Sequence, residues 1–77
     1  GVERREESQE LYEAIKKLPV KQRTAVILYY FEEMGIKEIA TISGCLEGTV
    51  KSRLYGARER LRQELSGAYL TEGRVSL

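Results

Sequence analysis

The chain has 77 residues, 42% hydrophobic and 32% charged, which leaves room for one domain with a modest core and excludes a disordered tail. The apolar run over residues 25–31 is far too short to span a bilayer, and no basic-then-apolar stretch opens the sequence as an export signal would. Net charge is only +1, with no histidine and one cysteine, Cys45, so an internal disulfide is excluded and neither a zinc site nor any other cofactor is expected.

Residues 1–7 are charged and lack an apolar period, which predicts a flexible lead-in. Leu11, Ala14, Ile15 and Leu18 then recur at helical spacing, with Ser8 as the candidate N-cap. Pro19 suits the first turn of a following helix, where its missing N–H has no partner to lose. The first helix is therefore expected to stop near Leu18 and the second to cover 20–33, with Gly35 as its stop. Residues 25–31, Ala-Val-Ile-Leu-Tyr-Tyr-Phe, have the composition of a strand. A lone strand has no pairing partner here, so helix is preferred. Their near-continuous apolarity implies core packing on several sides, ahead of a face kept for a partner protein.

A third helix is expected over 37–43, with Ile36, Ile39, Ala40 and Ile42 turned inward. Ala40 is small enough to let the next helix approach closely. Gly44 falls where the chain must turn, at a φ > 0 that glycine adopts without strain. Cys45 in that turn reads as a small buried hydrophobe in a reducing cytoplasm rather than a reactive thiol. A fourth helix is expected over 47–65 and a loosely ordered tail over 66–77. The fold class is thus all-α: a small four-helix domain over residues 8–65, ending in a helix-turn-helix without a wing. The second helix of such a unit can enter the major groove of DNA.

Placed on a wheel at about 100° per residue, the fourth helix has two sides. Val50, Leu54, Ala57 and Leu61 share a stripe with Leu65 at its edge, and opposite lie Ser52 and Gly56, flanked by Gly48, Thr49, Tyr55 and Glu59. Lys51, Arg58 and Arg62 occupy one shoulder, and Arg53 and Arg60 the other. Residues 47–62 hold five cations against two anions, while the rest of the chain is net negative. Small polar residues facing base edges, with long cations reaching for the phosphate rims, are what a groove-binding helix needs. Thr49, Lys51, Ser52 and Tyr55 are the candidate base contacts. Arg23, Lys37, Arg53, Arg58 and Arg62 are the candidate phosphate contacts, Arg23 and Lys37 from near the starts of their helices, where the dipole also favours anions.

Leu18-Pro19 with Arg23, Glu38-Ile39-Ala40, Gly48-Thr49-Val50-Lys51-Ser52-Arg53-Leu54, and Ala57-Arg58 with Leu61-Arg62 resemble region 4 of bacterial sigma factors. The similarity is closest to the extracytoplasmic-function (ECF) group of the sigma-70 family and covers residues 11–65. It implies a cytoplasmic domain that recognises the −35 promoter element within RNA polymerase holoenzyme and docks on the flap of the polymerase β subunit. It also implies an anti-sigma factor that masks the same surfaces. Gly56 departs from the pattern, standing where this family often has arginine, and so removes an expected DNA contact. The region that binds and melts the −10 element is missing from these residues. The chain is accordingly expected to be a piece of a longer sigma factor, favoured by Gly1 as its first residue, or a free-standing region-4-like regulator.

Two alternatives stay open on the sequence: a LuxR-like effector domain of a response regulator, and a protein-interaction module whose basic helix binds an acidic partner. An enzyme is not expected. With no histidine, one thiol expected to be buried and no glycine-rich phosphate loop, no catalytic constellation can be assembled. Glu32, Glu33 and Glu38 are expected to be simply solvated.

Overall fold

The computed structural model describes the backbone of residues 2–65 and the side chains of residues 9–65; the expected tail over 66–77 lies outside the described residues. In chain order the elements are α1 (Val2–Lys16), α2 (Val20–Val26) continued by a π-helical turn (Ile27–Phe31), α3 (Ile36–Ser43) and α4 (Glu47–Glu64). Among the described residues there is no strand, and no helix is long and apolar enough to cross a membrane.

Helix α4 packs against α1, α2 and α3. Its Val50, Leu54, Ala57 and Leu61 meet Ala14, Ile15 and Leu18 from the first segment, Ala25 and Val26 from α2, and Ile39 and Ala40 from α3 in a single core. All the buried residues are apolar among those described. The stripe inferred from spacing is therefore the seam that joins the domain, and Ala40 occupies it as a small residue should.

Helix α1 starts at Val2 rather than at Ser8, so helix occupies most of the segment expected to be a flexible lead-in. Glutamate, arginine and glutamine are good helix formers, and no glycine or proline interrupts them before Lys16. An apolar period is needed to bury a helix but not to form one. The last turn of α1 tightens through Lys17 N–H to Ala14 C=O (3.2 Å) and Leu18 N–H to Ile15 C=O (3.1 Å). Pro19 then sits at the N-cap of α2 with φ −54° and ψ 148°.

The helix over the apolar run differs from the expected regular one. After Val26 it widens, with Glu32 N–H bonded to Ile27 C=O at 3.0 Å, five residues back. A π turn changes which side chains share a face. Leu28, Tyr29 and Tyr30 pack against the core, while Ile27 and Phe31, four apart, are exposed together. One side of this run thus feeds the core, as expected, and the other, Ile27 and Phe31, stays open to solvent.

The stop is also displaced. Glu33, not Gly35, takes the left-handed conformation (φ 56°), and Met34 N–H closes the helix end on Leu28 C=O at 2.9 Å. Gly35 is instead the N-cap of α3, with ordinary φ −75°. The Glu38 carboxylate accepts the Gly35 N–H at 3.1 Å, one half of a capping box, since glycine has no side chain to return the second bond. Glu38 is thus exposed but holds the start of α3 rather than being merely solvated.

Gly44 ends α3 at φ 68°, where Cys45 N–H bonds Ala40 C=O at 3.0 Å. A three-residue turn, Gly44-Cys45-Leu46, leads into α4, completing the helix-turn-helix. Two expectations in this region fail. Ile42 is 65% exposed, because it lies roughly 200° around α3 from Ala40. Cys45 is half-buried beside the core instead of fully enclosed.

Candidate nucleic-acid interface

The opposed sides of α4 are sharply separated. Val50 and Leu54 are 0% and 3% exposed, whereas Tyr55, next in the chain to Leu54, is 64% exposed. Lys51 and Ser52 are exposed and Thr49 is half-buried near the turn. The first three turns of α4 therefore present Lys51, Ser52 and Tyr55 on the outward side, within an arc of about 100°, with Thr49 at its half-buried margin, about 60° beyond Ser52. That side faces away from the core because the opposite stripe, Val50, Leu54, Ala57 and Leu61, is buried in it.

The candidate phosphate cations divide into two groups. Lys37 is exposed in the first turn of α3, where the positive end of the helix dipole adds to its charge. Arg62 is exposed and only loosely paired with Glu59, at 3.9 Å, a contact of small energetic weight on a surface. Arg53 is half-buried over the turn, its Nη1 on the Cys45 sulfur at 3.7 Å. Thiol sulfur is a weak acceptor, so the guanidinium is steered rather than consumed. Beside it, Lys21 lines a cleft with Ser43, Gly44 and Arg53. Nothing in the spacing of α2 singles out Lys21; its place across from the turn is a tertiary fact.

Arg23 and Arg58 are engaged within the protein. Arg23 Nη1 donates to Lys16 C=O at 3.1 Å, capping the negative end of α1 and bracing it against α2. Arg58 donates from Nε (3.2 Å) and Nη2 (2.9 Å) to the hydroxyl of Tyr30 in the π turn. A wheel places Arg58 on a shoulder of α4, but which way a long side chain folds depends on what stands beside it. Here a phenol 28 residues earlier does.

Gly56 proves to be a contact position. A Cβ there would lie 2.7 Å from Nε2 of Gln22, on α2. The missing side chain is where the Gln22 amide rests, and Gln22 Oε1 is buried there without a hydrogen-bond partner. Glycine at this position thus goes with a close approach of the Gln22 side chain on α2 to α4.

A second surface lies away from α4. Tyr12 and Phe31 stack at 6.1 Å between ring centroids, tilted by 32°. With Ile27, Ile15, Gln9, Glu13 and Lys16 they line a shallow groove of about 420 Å³ between α1 and the π turn. Tyr12, Ile27 and Phe31 are all exposed, a clustering of large apolar side chains that solvated surfaces generally avoid.

An all-helical domain closing on a helix-turn-helix, with one polar, cation-flanked side of its last helix open, belongs to the class of groove-reading DNA-binding folds. Comparison with known proteins places it within that class. The family model for Sigma-70, region 4, matches residues 8–61, and the chain belongs to that family. It is 42% identical over 57 residues to the RNA polymerase sigma factor SigV of Bacillus subtilis, covering 74% of this chain and 34% of that protein. It is 47% identical over 55 residues to the RNA polymerase sigma-E factor of Streptomyces antibioticus, covering 71% of this chain and 31% of the relative. To the ECF RNA polymerase sigma factor SigW of Bacillus subtilis it is 42% over 58 residues, 75% and 31% respectively. The chain thus spans about a third of the length of these relatives. The resemblance to the ECF group holds, and the relatives' names favour it over the LuxR-like alternative.

Proposed function

We propose that this domain binds the −35 element of bacterial promoters by laying the start of α4 in the major groove, as the DNA-reading part of a sigma factor acting with RNA polymerase in the cytoplasm. Its role is binding, not catalysis. The observation that carries this reading is the two-sidedness of α4: Val50 and Leu54 sealed in the core, Lys51, Ser52 and Tyr55 turned outward. Lys51 can donate to guanine O6 or N7, Ser52 and Thr49 to several bases, and Tyr55 can pack on a thymine methyl. Lys37, Arg53 and Arg62 supply phosphate contacts that set register without reading sequence. Arg23 serves this interface indirectly, by fixing α1 against α2.

The apolar groove of Tyr12, Ile27 and Phe31 supports a second part of the proposal, that the domain docks on the β-subunit flap of the polymerase core through this surface. An anti-sigma factor that covers the same groove would block that docking directly.

Selection of bound duplexes from a random pool tests the DNA-binding reading. Lys51→Ala and Ser52→Ala should each lose preference at particular base pairs, by about 1–3 kcal/mol of discrimination. Uniform weakening on all sequences would remove both residues from the base-reading set. Insensitivity of wild-type binding to salt would favour the interaction module with an acidic partner, since each phosphate contact contributes about −0.9 to the log–log slope.

A further inference from the structure

We propose that Tyr30 is a positioning residue that withholds Arg58 from the DNA backbone and thereby limits how much of the domain's affinity is independent of sequence. This rests on the DNA-binding reading above and concerns which cations act in it. The two Arg58 nitrogens held by the Tyr30 oxygen, Nε and Nη2, form one edge of the guanidinium. That edge grips two oxygens of a phosphate side by side when it is free. The acceptor is not on a flexible chain: the Tyr30 ring meets Tyr29 edge-on, with centroids 4.8 Å apart, and packs against the core. Lys51, seven residues earlier on the same shoulder of α4, stays exposed. The shoulder thus offers Lys51 near the turn and Arg62 at its far end, and folds back Arg58 between them.

The choice of acceptor matters. A carboxylate in place of Tyr30 would cancel the charge of Arg58. A neutral phenol leaves it, so the positive potential that attracts a duplex is kept while the direct grip is withdrawn.

The test is a salt titration of binding to a selected duplex and to random duplex, using the wild-type chain, Tyr30→Phe, Arg58→Ala and the double variant. Tyr30→Phe keeps the ring and deletes the acceptor. It should steepen the log–log salt slope by about 0.9, so that the ratio of affinities at 50 and 200 mM salt grows about 3.5-fold. Random duplex should bind more tightly at low salt, and the double variant should return to the wild-type slope. Arg58→Ala alone should leave the slope unchanged to within roughly 0.3. A fall of about 0.9 in Arg58→Ala overturns the proposal, because Arg58 would already be on a phosphate. An unchanged or shallower slope in Tyr30→Phe overturns it too, the shallower one meaning that the hydroxyl aims Arg58 at DNA. Should Tyr30→Phe fail to fold, the Arg58→Ala slope decides alone. A wild-type chain that binds no duplex overturns the DNA-binding reading and this proposal with it, an outcome distinct from normal binding with unaltered slopes.

Discussion

Helix α4 and the segment formed by α2 and its π turn share one core, yet they present opposite chemistry outward. Along α4, residues change from sealed to open within a single step, Leu54 to Tyr55, and the open side, with Ser52 beside Tyr55, is largely polar and flanked by cations. Along the π turn the open side is Ile27 and Phe31, apolar and stacked with Tyr12. The contrast shows how a domain of this size can expose two chemically distinct surfaces around one hydrophobic cluster. The core takes one side of each helix, and what remains is free to specialise.

That division of labour can be broken from either side. The larger effect is expected at the groove between α1 and the π turn. Phe31→Ala should weaken binding to an isolated polymerase flap roughly tenfold, about 1.4 kcal/mol, while the salt slope on DNA stays put. Pull-down or calorimetry against the flap measures the first and a duplex titration the second. Loss of DNA binding in a folded Phe31→Ala would show that the faces are not separate.

A smaller effect sharpens the same contrast. Glu33 holds φ 56° at the end of the π turn, a conformation that strains a residue with a Cβ. Glu33→Gly should stabilise the domain by about 0.5–1 kcal/mol in urea unfolding. Neither face should change its affinity. Destabilisation would mean that the Glu33 side chain makes a contribution that its backbone conformation hides.

How much of this was legible in the sequence depended on periodicity. Val50, Leu54, Ala57 and Leu61 repeat at three and four residues, so the inward side of α4, and by subtraction its outward side, follow directly. Gly44 was legible because a helix stop and a tight turn both require it. Residues 25–31 carry no phase at all, being apolar throughout, and a π turn alters the very repeat that a wheel assumes. Where the chain stops being regular, at Glu33, the sequence held a glycine two residues later that looked a better candidate. The fates of Arg23 and Arg58 were illegible for another reason. A guanidinium reaches far enough to choose among partners that only tertiary packing brings near, here the carbonyl of Lys16 and the hydroxyl of Tyr30. Gly56 was recognised as a departure, but only the fold shows the Gln22 amide resting on it.

The most direct test of the account is backbone amide NMR of the isotopically labelled domain, titrated with a duplex carrying its selected site. The largest shift changes should fall on Thr49, Lys51, Ser52 and Tyr55, with Tyr12, Ile27 and Phe31 unmoved. Changes concentrated at Tyr12, Ile27 and Phe31, with the start of α4 silent, would contradict the assignment of α4 as the helix that reads DNA.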